Sequence, residues 1–117
     1  MAKIYYLSTC NTCMKIINEL NLPNDFQLQD IKNEAITVGQ IEEMRALTDS
    51  YESLFSKRAR LYKALDLKNK NLTDEDYKNY ILEHYTFLKR PVILFNDHIF
   101  IGNSKKTVDA AKKAIHV

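Results

Sequence analysis

This chain of 117 residues begins with its most informative motif, Ile4-Tyr5-Tyr6-Leu7-Ser8-Thr9-Cys10-Asn11-Thr12-Cys13. The apolar first half of this motif is typical of a buried strand, and helical periodicity begins directly after it. A strand therefore delivers the chain's two cysteines, which stand three residues apart, to the start of a helix. In this context a Cys-x-x-Cys motif indicates the redox chemistry of a dithiol.

The composition is that of an ordinary globular protein. The chain has 45% hydrophobic residues and a formal net charge of +2, which is too small to indicate a nucleic-acid or membrane partner. Neither a signal peptide nor a membrane-spanning stretch is visible in the sequence. We therefore expect one domain, residues 1–117, that is a monomer in the cytoplasm, where a close cysteine pair is more often reactive than structural.

The outer thirds of the sequence predict strands and helices in alternation. We expect a strand at residues 3–7, a helix from Asn11 to Leu20, and a half-buried strand at residues 26–31, where apolar and polar side chains alternate. Residues 92–95 and 98–101 predict a hairpin, and a closing helix follows it.

The middle of the chain, about residues 37–88, predicts helices throughout. Thr37 opens a capping-box pattern, and Thr73 is a cap for a helix with a buried stripe that reaches Leu88. A strand-helix-strand unit, a helical insertion and a strand-strand-helix unit are the order of a thioredoxin-like fold. The predicted class is α/β, a mixed thioredoxin-like sheet with a helical insertion.

The two cysteines are expected to differ in reactivity. Cys10 stands at the helix start, where unpaired N–H groups and the positive end of the helix dipole favour the thiolate and should lower its pKa. Cys13 lies one turn further on, on the apolar stripe, and should remain a thiol. Because residues three apart share a helical face, the pair can form a disulfide. We predict that Cys10 attacks the substrate and that Cys13 resolves the mixed disulfide.

Two other interpretations stay open on this pattern. The cysteines could be core residues without chemistry, because free cysteine is among the most buried residue types. A zinc site would need two further ligands, and His84, His98 and His116 lack the close spacing of a structural finger. The position of the pair between a strand and a helix favours the redox interpretation.

The chain resembles the arsenate reductase ArsC / Spx family over essentially its full length. The motifs that carry the resemblance are residues 4–13, Leu54-Phe55-Ser56-Lys57-Arg58, Leu88-Lys89-Arg90-Pro91-Val92-Ile93 and Ile101-Gly102. The resemblance implies a cis-proline at Pro91 beside the reactive cysteine, and a thiol or disulfide substrate. It also implies that no cofactor is bound and that glutathione, glutaredoxin or thioredoxin supplies electrons.

Three positions depart from the members of that family that process arsenate. Those enzymes carry arginine where this chain has Met14, Ser56 and Asn103, and Arg90 alone is retained from that set. An oxyanion is bound best by several bidentate guanidinium groups, and one does not suffice. The expected activity is therefore that of a thiol–disulfide oxidoreductase that reduces arsenate poorly.

The Spx branch of the family supplies an alternative function. Its members share the Cys-x-x-Cys motif, a Ser-x-Arg like Ser56-Lys57-Arg58, and an Arg-Pro like Arg90-Pro91. In that branch the dithiol is a redox sensor, and the protein binds the C-terminal domain of the RNA polymerase α subunit. This chain has Ser50 where a glycine important for that contact is expected.

Several polar residues near these motifs have two interpretations each. Arg90 either stabilises the thiolate or an anion, or is a solvated residue at a strand start, and Arg58 either adds positive potential or lies on a charged helix face. Ser8 and its neighbours are expected to cap the helix, and they are also candidates to bind the substrate. The predicted catalytic residues are Cys10, Cys13 and Arg90, and the predicted substrate-binding residues are Thr9, Asn11, Thr12, Arg58 and Pro91. No metal ligand is predicted.

Overall fold

The computed structural model describes every residue, Met1–Val117. The elements in chain order are β1 (Ala2–Tyr6), α1 (Asn11–Leu20), β2 (Gln27–Asp30), α2 (Val38–Ala46), α3 (Arg60–Ala64), α4 (Asp74–Glu83), β3 (Val92–Phe95), β4 (His98–Ile101) and α5 (Lys105–His116). Short 3-10 helices occupy Glu52–Leu54, Leu67–Asn69 and Tyr85–Phe87. None of the helices has the length and hydropathy that crossing a bilayer requires.

The chain divides into two compact units. Unit 1 comprises Met1–Glu34 and Arg90–Val117, and unit 2 comprises Ala35–Lys89. Unit 2 contains no named strand and coincides closely with the helical insertion predicted for residues 37–88. That residues 1–117 behave as one domain stays a prediction.

Unit 1 is built on a four-stranded mixed sheet with the order β2-β1-β3-β4. β1 runs parallel to β2 and antiparallel to β3, and β3 and β4 form an antiparallel hairpin. The turn of this hairpin is made by Asn96, at a φ of 54°, because asparagine tolerates the left-handed region better than most residues. The predicted mixed sheet and hairpin are confirmed.

The core of unit 1 lies between one face of the sheet and two helices. Ile4 of β1 and Ile93 of β3 are cross-strand partners, and both belong to this core. α1 and α5 present apolar residues at intervals of three and four, which places those residues on one face of each helix. The helical residues in the core are Ile16, Leu20, Val108, Ala111 and Ile115.

In β2 the apolar residue is exposed and the polar residue is buried, which is the reverse of what the polarity of the sequence suggests. Leu28 is 50% exposed, whereas Gln29 is only 2% exposed. The Gln29 side chain can be buried because its amide donates a hydrogen bond to the Glu34 carbonyl at 3.1 Å, and buried polar groups require such partners. The half-buried strand exists as predicted, but polarity does not say which of its residues face inward.

Unit 2 is a set of helices organised by caps and an aromatic cluster. Thr37 and Thr73 begin α2 and α4 with reciprocal capping boxes, as the sequence predicts. Phe55 lies at the centre of ring contacts with Tyr62, Tyr77, Tyr80 and Phe87. These contacts are worth more than their buried area alone.

The predicted extension of the α4 stripe to Leu88 is wrong. α4 ends at Glu83 because the His84 backbone is extended, with φ of −150° and ψ of 130°. A 3-10 helix follows, and Leu88 forms an isolated antiparallel bridge with Phe55.

Candidate active site

A tight turn links β1 to α1 and presents the first cysteine. The Cys10 N–H donates to the Leu7 carbonyl at 3.0 Å, and the Cys10 carbonyl accepts from Met14 N–H at 3.2 Å. Cys10 has extended backbone angles and is the N-cap residue of α1. The sequence prediction that a strand delivers this cysteine to a helix start is therefore confirmed.

The polar neighbours of Cys10 do not cap α1, which corrects the expectation from the sequence. The N-cap is Cys10 itself, and no side chain makes a capping hydrogen bond there. Ser8 does not cap because its hydroxyl donates to Asp30 instead. Thr9, Asn11 and Thr12 are exposed beside the cysteine pair, and their part in substrate binding stays a prediction.

The two cysteines are reduced, adjacent and unequally exposed. Cys10 is half-buried and Cys13 is fully buried, and neither forms a disulfide. Their thiols lie within hydrogen-bonding contact of one another. The pair therefore combines a half-buried thiol with a fully buried thiol beside it, and the disulfide between them stays a prediction.

The environment of Cys10 favours its thiolate. Partial burial alone would raise the pKa of Cys10, but the Cys13 amide, the Cys13 thiol and the Arg90 guanidinium together outweigh burial and lower it. The amide belongs to the first turn of α1, where N–H groups have no partner within the helix. The downward direction of the Cys10 pKa matches what its place at the helix start predicts.

The environment of Cys13 favours its thiol. Burial is the largest influence, and together with the hydrogen bond and charge of Cys10 it raises the pKa of Cys13 to about 11. A backbone hydrogen bond to Leu7 and the charge of Arg90 act in the opposite direction without cancelling the increase. The thiolate form is therefore favoured at Cys10 and disfavoured at Cys13.

Arg90 is the charged group at the cysteines. It is half-buried, immediately precedes β3, and its charge lowers the pKa of Cys10 and opposes the increase at Cys13. The Arg90–Pro91 peptide bond is cis. The Pro91 carbonyl accepts from Gly102 N–H at 2.9 Å, which ties this segment to the end of β4.

The structure brings the three predicted catalytic residues together, but it does not test the role of every predicted substrate-binding residue. Cys10, Cys13 and Arg90 interact directly within unit 1. Arg58 is exposed and belongs to unit 2, so its role stays a prediction. No three histidine, cysteine, aspartate or glutamate side chains are grouped so as to hold a metal ion.

Sequence reasoning missed one residue beside the cysteine turn. Asp30 ends β2, and Ser8 donates two hydrogen bonds to its carboxylate. Because β1 and β2 are parallel, their carboxyl ends meet at the same edge of the sheet. Polar residues at that edge often belong to functional sites, and this signal could have drawn attention to Asp30.

The mixed sheet, the helical insertion and the cysteine pair at the start of the first helix define a thioredoxin-like protein. Residues 5–111 match the family model described as the ArsC family. The chain therefore belongs to the ArsC family, which confirms the resemblance inferred from its motifs.

Relatives and solved structures agree with this assignment. The global transcriptional regulator Spx 1 of Oceanobacillus iheyensis is 25% identical over 112 residues, which cover 92% of this chain and 84% of that protein. A putative ArsC family related protein from Bacteroides fragilis superposes with a TM-score of 0.77 at 19% identity, covering 94% of this chain and 96% of that one. A putative arsenate reductase from Yersinia pestis superposes with a TM-score of 0.74 at 15% identity over 100% of both chains. These two structures show the shared fold.

Proposed function

We propose that the protein is a thiol–disulfide oxidoreductase with Cys10 as nucleophile, Cys13 as resolving thiol and Arg90 as their electrostatic partner. The observation that carries the proposal is the opposite behaviour of two thiols in contact. The pKa of Cys10 is lowered, whereas that of Cys13 is raised to about 11. Dithiol enzymes need such a division, since one sulfur must attack while the other waits.

The first step is attack on a substrate disulfide. The Cys10 thiolate forms a bond to one substrate sulfur, the substrate S–S bond breaks, and the other sulfur leaves with the electron pair and takes a proton from water. The product is a mixed disulfide between Cys10 and the substrate. Arg90 increases the fraction of Cys10 that is ionised, because its positive charge stabilises the thiolate.

The second step requires Cys13 to become a nucleophile. In the free protein, the hydrogen bond and charge of Cys10 raise the pKa of Cys13. Once Cys10 is in a mixed disulfide it carries no charge, so these two influences disappear while Arg90 remains. Cys13 then loses its proton to water more easily and attacks the Cys10 sulfur, and the substrate leaves as a thiol. Two electrons pass to the substrate, and a Cys10–Cys13 disulfide forms.

Return to the reduced state needs a donor of two electrons. We propose that glutathione, glutaredoxin or thioredoxin supplies them in the cytoplasm, where such thiols are kept reduced. The proposed substrate is a disulfide, including a glutathione mixed disulfide, in preference to arsenate. Met14, Ser56 and Asn103 offer no guanidinium where the family's arsenate-processing members carry one.

The assignment of roles is tested with cysteine variants. Alkylation by iodoacetamide is followed at pH 7 by peptide mass spectrometry, and reduction of a glutathione mixed disulfide is followed on the same samples. We expect Cys10→Ser to abolish both fast alkylation and reduction, and Cys13→Ser to keep alkylation but accumulate a mixed disulfide on Cys10. Preferential alkylation of Cys13, or full activity in Cys10→Ser, would contradict the proposal.

The electrostatic role of Arg90 is tested by comparing Arg90→Ala with a control substitution at the preceding residue, Lys89. Arg90→Ala should raise the pKa of Cys10, and each unit of increase lowers the thiolate fraction at pH 7 about tenfold. The alkylation rates of variant and wild type should converge at high pH, where both are ionised. Lys89→Ala removes an exposed positive charge one residue earlier and should leave the rate unchanged. An equal decrease of the alkylation rate in Arg90→Ala and Lys89→Ala would show that net charge alone, and not the position of Arg90, sets the reactivity of Cys10.

A second candidate is a redox-sensing transcriptional regulator. The names of the curated relatives favour it, since Spx 1 of Oceanobacillus iheyensis is described as a global transcriptional regulator. The same cysteine pair would then report oxidation by forming its disulfide, and the partner would be the C-terminal domain of the RNA polymerase α subunit. A pull-down with that domain, using the oxidised and the reduced protein, tests the idea. Binding by neither form would eliminate it.

A further inference from the structure

The Asp30 carboxylate is the point at which the cysteine turn is attached to the neighbouring strand. Its Oδ1 accepts from the N–H of Ser8 at 3.4 Å, and its Oδ2 accepts from the Ser8 hydroxyl. The same carboxylate accepts from the Lys32 N–H at 3.2 Å and from the Asn33 side-chain amide at 3.0 Å. Four donors thus converge on one side chain, and two of them come from a residue close to Cys10.

The hydrogen bonds between Asp30 and Ser8 lie just beyond the last backbone pairing of β1 with β2. Tyr6 and Asp30 are the last paired residues of β1 and β2, and the Ile31 N–H donates to the Tyr6 carbonyl at 2.9 Å. Ser8 is the second residue of the turn that the Cys10 N–H closes onto Leu7. By fixing Ser8, the carboxylate fixes the turn from which the Cys10 side chain projects.

We propose that Asp30 is a positioning residue that acts through Ser8 to hold the Cys10 sulfur against the Cys13 amide and Arg90. The inference rests on the proposed function and adds two residues to its site. A bond from a hydroxyl to a carboxylate is among the stronger hydrogen bonds in proteins, whereas the 3.4 Å contact of the Ser8 N–H is a weaker addition to it. They are suited to hold a surface turn in the one conformation in which the thiolate is stabilised.

A purely electrostatic role for Asp30 predicts the opposite sign. A carboxylate acting only as a nearby negative charge would disfavour the Cys10 thiolate, so its removal would speed alkylation. A carboxylate acting as an anchor would favour the thiolate indirectly, so its removal would slow alkylation. The direction of the change therefore separates the two roles.

The experiment compares Asp30→Asn, Ser8→Ala and the double variant in the full-length reduced protein. We expect Asp30→Asn to slow the alkylation of Cys10 at pH 7 by about tenfold, which is the size of effect that losing a charge-assisted hydrogen bond has. Ser8→Ala changes no charge and should also slow the reaction. Because the Ser8 hydroxyl acts only through its bond to Asp30, the double variant should be little slower than Asp30→Asn. The thiolate absorbance in the ultraviolet, followed against pH, should show a raised pKa of Cys10 in all three.

Asp74→Asn is the matched control for the loss of a structural carboxylate. Asp74 belongs to unit 2, where its carboxylate accepts from the N–H groups of Tyr51 and Glu52 at 3.1 and 3.0 Å. This variant should lose stability in denaturant as Asp30→Asn does, but it should keep the wild-type alkylation rate. A slow rate in Asp74→Asn would show that general destabilisation explains the effect, and it would overturn the inference.

The remaining outcomes separate this inference from the function on which it rests. Alkylation in Asp30→Asn that is unchanged or faster, with a fast wild type, overturns the inference alone. A wild-type Cys10 that reacts no faster than a free thiol overturns the proposed function and the inference together. If Asp30→Asn fails to fold, Ser8→Ala alone still decides the matter, since the proposal requires it to react more slowly than the wild type.

Discussion

At the scale of single residues, Cys13 stabilises the reduced protein only while it keeps its proton. Its pKa of about 11 in the fold lies above the ordinary value of 9.0, because burial disfavours the thiolate. A group whose pKa is raised by folding contributes stability below its unfolded-state pKa and loses that contribution as the pH rises through the folded value. We therefore expect part of the stability to be lost between these two pH values, and Cys13→Ala to lack that part.

This prediction is measured by urea unfolding of the reduced protein at neutral pH and at several pH values above 9. The quantity of interest is the difference in unfolding free energy between wild type and Cys13→Ala, because ionisation common to both proteins cancels in it. That difference should shrink as the pH rises. Ile115→Val is a core truncation without a titratable group and should give a constant difference. A constant difference for Cys13→Ala as well would contradict the assigned pKa.

The opposite directions of the two cysteine pKa shifts could be predicted from the sequence, but the contribution of Arg90 could not. A helix start and an apolar stripe are local features of the sequence. They predict the correct direction of the pKa shift, downward for Cys10 and upward for Cys13. Arg90 lies 80 positions after Cys10, and only resemblance to a family placed it near the sulfurs. A parallel strand-helix-strand unit places Asp30 at the same sheet edge as the cysteine turn, but its contact with Ser8 depends on the exact register of β1 with β2, which no local pattern reveals.

At the level of secondary-structure elements, β2 shows that a polar side chain can be buried while its apolar neighbour is exposed. We expect Gln29→Leu to destabilise the protein by about 1–3 kcal/mol, because it leaves the Glu34 carbonyl without its donor. Leu28→Gln should change the unfolding free energy by no more than about 0.5 kcal/mol, because half of that side chain is already exposed and a surface change costs little. Chemical denaturation of both variants checks the pair. A larger loss of stability in Leu28→Gln than in Gln29→Leu would indicate that Leu28, and not Gln29, faces the core.

Elements with strong local signals could be predicted closely, and those that depend on distant contacts could not. The capping boxes at Thr37 and Thr73 and the Asn96 turn contain their own stop and start signals, and the structure places them as expected. The end of α4 has no such signal. Its apolar spacing continues past Glu83, but the chain leaves the helix and pairs Leu88 with Phe55.

At the scale of the whole molecule, the sequence order of elements was sufficient to predict the architecture. A parallel strand-helix-strand unit and a terminal hairpin with its helix leave few ways to build one sheet. The observed order β2-β1-β3-β4 is one of these. The division into two compact units follows the same logic, since the helical insertion interrupts the sheet-forming segments without adding a strand to them.

The exposed apolar residues of the molecule support the prediction of a monomer. The large exposed side chains are Met1, Met14, Leu28, Val38, Leu65 and Val117. No helix or strand contributes more than one of them, so no single element presents an apolar face of the kind that stable homodimers bury. The two edge strands, β2 and β4, have four residues each, and short edges resist pairing with a second chain.

We therefore expect the reduced protein to sediment with the mass of a single chain, 13.7 kDa, at micromolar concentration. Twice that mass in analytical ultracentrifugation would contradict the prediction. Leu28→Lys then identifies the interface, because a positive charge on the edge strand β2 would dissociate a dimer formed through that edge and leave any other dimer intact. The oxidised protein should sediment like the reduced one, because the proposed disulfide joins two cysteines of the same chain. A dimer that appears only after oxidation would instead indicate that the half-buried Cys10 pairs between molecules faster than Cys13 can reach it.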